Sequence, residues 1–209
     1  MRFFVLGANG RTGSEIVGLS LKRGHQVTAC VRSPEKITIT SGGLTVIKGS
    51  PEDVEAMSRA MKGHDAVFSA FGPRPGEVFA SRKKRSWTME GFAVKTISAM
   101  EKAGVKRLVL FSSGGLFPGG SFAASLLGGL AHNHMEDLKR MEHAVIQSRL
   151  EWTVARPAWL GKSPDERYRA QTNALPPPAL KMSFRAPARF MIDAVEGGLY
   201  KKEVVGLGA

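Results

Sequence analysis

Three glycines at three-residue intervals carry the first chemistry of this chain: Gly7-Ala8-Asn9-Gly10-Arg11-Thr12-Gly13. They follow an apolar run, Arg2-Phe3-Phe4-Val5-Leu6, and precede apolar residues at helical spacing, Ile16, Val17, Leu19 and Leu21. A strand that turns through Gly7 needs backbone dihedrals that a side chain disfavours. Gly10 lets the main chain approach a pyrophosphate, and Gly13 lets the next helix pack close to the strand. A helix from about Arg11 to Lys22 then offers free N–H groups and its positive dipole end to phosphates. The spacing differs from the commoner G-x-G-x-x-G, so the strand–turn–helix context carries the reading, which is a dinucleotide site.

Arg32 says which dinucleotide. It ends a second strand-like run, His25 to Val31, where a carboxylate would hold the ribose 2′-hydroxyl of NAD. An arginine there accommodates a 2′-phosphate through charge-assisted, bidentate hydrogen bonds. Arg11 offers a second cation from the other side. NADP(H) is expected over NAD(H).

Other chemistry-bearing residues are fewer. His132 and His134 stand together at a helix start, without a third metal ligand at a recognisable spacing, so no metal is expected. Trp159 follows the sixth strand, where a flat ring suits a planar acceptor or core packing. Phe117 belongs to a Gly-rich apolar stretch, residues 114–131, and a second loop-like stretch covers residues 161–183 with Pro176-Pro177-Pro178. Both follow strand ends, where open α/β sheets bind ligands, and long loops in a compact domain tend to be functional.

The elements that must position these groups alternate. Strands are expected at Leu44–Lys48, Asp65–Phe71, Lys106–Ser112 and Trp152–Ala155. Helices are expected at Pro51–Met61, Trp87–Ala103, His134–Ser148 and Pro187–Tyr200. That alternation implies an α/β fold, a parallel sheet with helices on both faces. The 209 residues suit one domain, 1–209. The single cysteine, Cys30, excludes an intrachain disulfide and suggests a core thiol in a reducing compartment. No apolar run suits a secretory signal or a membrane span, so a cytoplasmic protein is expected. The formal net charge of +12 is partly concentrated between Arg74 and Ser86, with Arg82-Lys83-Lys84-Arg85. Nothing there interleaves aromatics as a single-strand nucleic-acid surface would, so nucleic acid is not the expected partner.

With these residues in view, the chain resembles the atypical short-chain dehydrogenase/reductases of the NmrA-like NAD(P)-binding group, and within it the biliverdin-IXβ/flavin reductase type. The resemblance rests on the glycine turn, Val31-Arg32-Ser33, Gly63-His64-Asp65-Ala66-Val67, Glu90-Gly91, Gly104-Val105, Leu108 to Ser113, and Leu150 to Pro157. It implies a Rossmann-like, doubly wound sheet in the order 3-2-1-4-5-6. It implies that Gly7, Asn9, Gly10, Arg11, Thr12 and Gly13 serve the pyrophosphate and Arg32 the 2′-phosphate. Ala70, Phe71 and Gly72 would line the adenosine, Ser112 and Ser113 would lie under the nicotinamide, and Pro157 with Ala158 would support the ring. Two departures matter. Ser50 stands where relatives place an adenine-binding aspartate. The Tyr-x-x-x-Lys pair is missing: His134 falls near the tyrosine and Leu138 at the lysine, with Lys139 one residue further, about 100° round the helix.

Hydride transfer asks the protein mainly for positioning, because the cofactor carries the hydrogen. A carbonyl substrate also needs a proton donor. Without the tyrosine, a planar conjugated acceptor (flavin, quinone or tetrapyrrole) fits better, with Ser113 as a hydrogen-bonding group and His134 or Lys139 as proton donor. Phe117 and Trp159 are the candidate acceptor contacts, and a monomer or homodimer is expected. The alternative is a non-catalytic NADP(H)-binding sensor or regulator.

Overall fold

The computed structural model describes residues 1–72, 88–118, 128–163, 165–178 and 181–209. The basic stretch Arg74 to Ser86, Trp87, and Phe122, Leu126 and Leu127 of the apolar stretch lie outside the described residues. Chain order is β1 (Arg2–Leu6), α1 (Arg11–Lys22), β2 (Gln26–Val31), β3 (Leu44–Lys48), α2 (Val54–Met61), β4 (Ala66–Ser69), α3 (Thr88–Ala103) and β5 (Arg107–Phe111). It continues with α4 (Gly128–Ile146), β6 (Glu151–Pro157), β7 (Leu160–Gly161), β8 (Arg169–Thr172), β9 (Met182–Ser183), α5 (Arg185–Glu196) and β10 (Glu203–Gly208).

One sheet runs in the order β3-β2-β1-β4-β5-β6-β10-β8. Its first seven strands are parallel, and β8 closes the edge antiparallel to β10. The expected 3-2-1-4-5-6 core is therefore present, in a Rossmann-like fold. Alternate residues of β1 serve two cores. Phe3 and Val5 face the layer of α1 and α5, with Ile16, Val17, Phe190 and Ile192. Phe4 and Leu6 face the layer of α2, α3 and α4, with Met57, Met100, Leu138 and Val145. A sheet buried on both sides needs such continuously apolar strands.

Several boundaries differ from expectation for local reasons. Helix α2 starts at Val54, because Asp53 caps it by accepting from the Ala56 N–H at 2.9 Å, which leaves Pro51 outside. Helix α4 starts at Gly128, so the last residues of the apolar stretch are helical, and residues 114–116 form a single 3-10 turn. Helix α5 starts at Arg185, two residues before Pro187, whose missing N–H costs nothing in a first turn. It ends at Glu196, ahead of Gly198 with φ +62°. The stretch 161–183 is not only loop: it holds β8 and β9. Among the described residues no helix is long and apolar enough to cross a membrane.

At the end opposite the site, Arg107 pins the sheet to α5. Its guanidinium donates to the carbonyls of Glu151, Ala194 and Leu199, at 2.8, 3.2 and 2.9 Å. Burial pushes its pKa down to about 10.

Candidate functional site

The carboxyl ends of β1, β2 and β4 converge on the glycine turn. Gly7 has φ +73°, in the region that favours glycine, and its carbonyl accepts from Gly10 N–H at 2.9 Å. A Cβ on Gly7 would stand 2.6 Å from the Ala70 carbonyl oxygen, and one on Gly13 would run into the Gly7 carbonyl. Gly10 caps α1 without a side chain, and the first turn of α1 holds no acidic residue. The result is a helix start with open N–H groups and no competing carboxylate, which suits a pyrophosphate. Thr12 and Gly13 lie buried behind this surface.

The turn opens into a cleft of about 1120 Å³. Gly7, Asn9, Gly10, Arg11, Arg32, Ser50, Ala70, Phe71, Gly72 and His134, all expected at the site, line it. Cys30, Lys36, Phe92 and Asp137 line it too and were not expected. The Phe71 and Phe92 rings meet at 5.1 Å between centroids, joining β4 to α3. Asp137 is the one carboxylate in the lining among the described residues. Both its oxygens are engaged, accepting from the Met89 and Glu90 N–H groups at 3.0 Å each.

The cationic end of the cleft sits where β2 ends. Arg32 is exposed, and Lys36 follows on a short 3-10 turn, Pro34–Lys36, that starts after Ser33. The Arg11 guanidinium lies over the Phe184 ring, 4.6 Å from the centroid, on the α5 side. Lys36 adds a cation beside Arg32, four residues on across a Ser-Pro turn, while Arg11 lines the cleft from the other side. That pairing of basic residues around the turn was the signal available in the sequence.

The remaining expected residues lie at the ends of β5 and β6 or on α4. Ser112 is buried, and its hydroxyl donates to Glu142 Oε1 at 2.5 Å. Ser113 caps the turn 114–116, its oxygen accepting from Gly115 N–H at 3.3 Å. Pro157 ends β6, and Ala158 N–H donates to the Leu207 carbonyl at 2.8 Å. Phe117 is 8% exposed and carries the Arg156 guanidinium over its ring. Trp159 is 57% exposed and does not line the cleft. Lys139 does not reach the cleft either. It is exposed on α4, 3.9 Å from Glu136, because the neighbouring Leu138 takes the inward position. His134 is half-buried, and burial lowers its pKa while Asp137 partly offsets this. Burial pushes the Cys30 thiol up to about 11.

A parallel sheet with a glycine-closed turn between β1 and α1, opening on a cationic cleft, defines a Rossmann-type dinucleotide-binding protein. The family described as NAD(P)H-binding matches residues 7–197, and the chain belongs to that family. It is 34% identical over 113 residues to the photosystem II assembly factor Ycf39 of Synechocystis sp., covering 54% of this chain and 33% of that one. The matches span from about a fifth to about half of the curated relatives' own lengths.

Solved structures share the fold over the whole chain. A wide-type short-chain dehydrogenase/reductase of Veillonella parvula, in complex with NADP, superposes with a TM-score of 0.79 at 17% identity, covering 100% of this chain and 94% of that one. SP1627 of Streptococcus pneumoniae, which carries the provisional name NADH-flavin reductase, superposes with a TM-score of 0.71 at 22% identity, covering 100% and 99%.

Proposed function

We propose that this protein is an NADPH-dependent oxidoreductase that reduces a planar conjugated acceptor of the flavin, quinone or tetrapyrrole type. The observation that carries the reading is the pair Arg32 and Lys36 at the mouth of the glycine-lined cleft, with no carboxylate from the end of β2 in the lining. When bound, the reduced dinucleotide supplies the hydride. The open N–H groups of the first turn of α1, at Arg11 and Thr12, hold the pyrophosphate. Arg32 meets the 2′-phosphate through its planar fork, and Lys36 adds a point charge. Gly7, Ala70 and Gly72 let the adenosine half lie close to the backbone, and Ser50 takes the adenine-side contact.

The acceptor half rests on α4, where His134 stands on the cleft wall and Lys139 points to solvent. The chain has two tyrosines, Tyr168 and Tyr200, and both pack on Phe190 of α5. A carbonyl chemistry that needs a tyrosine–lysine pair is therefore poorly served among the described residues. Ser113 keeps its hydroxyl proton free to donate to an acceptor oxygen, with His134 holding the transferable proton. Phe117, buried under the Arg156 guanidinium and outside the cleft lining, backs this end, and the exposed Trp159 is a rim contact at most. The NADP of the Veillonella structure supports the phosphorylated dinucleotide, and the Streptococcus structure's name, which gives NADH, supports the flavin-type acceptor alone. The buried, lone Cys30 supports a reducing, cytoplasmic setting.

The missing pair also favours a second reading, an NADP(H)-binding sensor without turnover. Loss of absorbance at 340 nm from NADPH with FMN, a benzoquinone or biliverdin is the deciding measurement. Turnover with one of them supports the reductase. Tight NADPH binding with no turnover on any of the three selects the sensor.

A further inference from the structure

We propose that Glu142 is a positioning residue for the acceptor end of the cleft, acting through the Ser112 hydroxyl and, by way of Arg156, on the Phe117 ring. The proposal rests on the reductase reading for its catalytic consequence, but not for its structural one.

Glu142 is 2% exposed on the inner face of α4. Its Oε1 accepts from Ser112 Oγ at 2.5 Å and from Arg156 Nε at 3.0 Å, and its Oε2 accepts from Arg156 Nη2 at 2.5 Å. This is a two-pronged carboxylate–guanidinium pair with a third donor. A carboxylate only accepts, so the single hydroxyl proton of Ser112 is committed to it. The Ser112 oxygen is left with lone pairs alone, and toward the acceptor it is a hydrogen-bond acceptor that selects an N–H donor such as a ring imide.

The other face of Arg156 lies over Phe117, 4.6 Å from the ring centroid. Phe117 closes the turn that leaves β5, and that turn is seated tightly. A Cβ on Gly114 would stand 2.6 Å from the Pro157 carbonyl oxygen, and one on Gly115 would stand 3.1 Å from Met135 Cε. Met135 adjoins His134 of the cleft wall. One buried carboxylate thus fixes a hydroxyl at the end of β5, a guanidinium on β6 and an aromatic ring beside them. Burying such a pair is a weak route to stability, since apolar side chains of similar volume do as well. Its place at the carboxyl ends of β5 and β6, the ligand side of such sheets, gives it another use.

The test compares the full chain with Glu142→Gln and Arg156→Lys. Glutamine keeps the shape but sets an NH₂ where only acceptors stood, so Ser112 or Arg156 loses its partner. Lysine keeps the charge and loses both the fork and the flat face. Amide hydrogen exchange at residues 112–117 is expected to quicken at least tenfold in both variants. Exchange at residues 7–13 and the NADPH dissociation constant should stay within about twofold. For the acceptor that the parent reduces, KM should rise about tenfold with a smaller change in kcat. Parent-like exchange at 112–117 overturns the proposal. So does exchange that quickens equally across the sheet, or an NADPH affinity that falls as far as KM rises, because a merely structural residue would do that. If the parent reduces no acceptor, the reductase reading fails, and the exchange measurement still decides what Glu142 holds.

Discussion

Asp137 on α4 accepts a hydrogen bond from the Glu90 N–H at 3.0 Å, and so caps the start of α3 from a neighbouring helix. Its second oxygen takes the Met89 N–H. The two helices that wall the cleft are therefore joined at the cleft itself. Asp137→Ala should cost about 1–2 kcal/mol, the usual range for a lost cap, and Asp137→Asn less, as read by urea unfolding. Asp137 also raises the pKa of His134 against its burial. Its removal should lower that pKa further, visible in the NMR titration of the imidazole.

Arg32→Ala should weaken NADPH binding by about ten- to a hundredfold, the worth of a lost charge-assisted contact of roughly 1.5–3 kcal/mol. NADH binding should change by less than about twofold. Lys36→Ala should show the same selectivity with a smaller effect. Calorimetric titration of both dinucleotides checks this, and an Arg32→Ala protein that binds NADPH like the parent would sink the 2′-phosphate assignment.

Turnover should rise as pH falls from 8 towards 6 if His134 supplies the proton. Burial lowers its pKa, so its protonated form grows only on acidification. His134→Gln should flatten that profile while leaving NADPH affinity within about threefold. A parent-like profile in the variant would assign the proton to water.

His64 should weaken the fold in acid. Its Nδ1 donates to the Met61 carbonyl at 3.0 Å, and its Nε2 lies 2.9 Å from the Thr28 hydroxyl, which donates to it when the ring is neutral. Burial lowers its pKa below the ordinary 6.5. The unfolded chain therefore binds the proton first. The stabilisation is complete above about pH 7 and is lost as pH falls below 6.5 through the folded-state value. Melting temperatures of the parent and His64→Gln between pH 8 and 5 should converge towards the acid end.

Cys30 should be inert to a thiol-disulfide reagent at pH 8 in the folded protein and react within minutes in denaturant. It is 3% exposed, and with a pKa of about 11 it holds almost no thiolate.

The cofactor half of this site was legible because it is written in backbone requirements. Gly7, Gly10 and Gly13 sit where a Cβ meets a carbonyl, and glycine at such places leaves a local mark in the sequence. Arg32 was legible from its position at a strand end. The acceptor half depends on partners far apart in the chain, and no spacing announces them. Glu142 and Arg156 are fourteen residues apart on a helix and a strand, and Asp137 finds its partners forty-seven and forty-eight residues away. Lys139 missed the cleft because a helix turns about 100° per residue. Strand β8, Arg169-Ala170-Gln171-Thr172, was illegible for another reason: an edge strand with polar residues has no apolar alternation to show.

Strand β10 lies between β6 and β8, although β8 precedes it in the chain. During synthesis, β8 therefore has no sheet to join until residues 173–202 have been made and β10 has arrived. Throughout that interval the finished edge of β6 stands open, with its ladder of N–H and C=O groups unpaired. Between the making of β6 and the arrival of β10 the chain is open to pairing with another nascent chain, after its nucleotide end is already built.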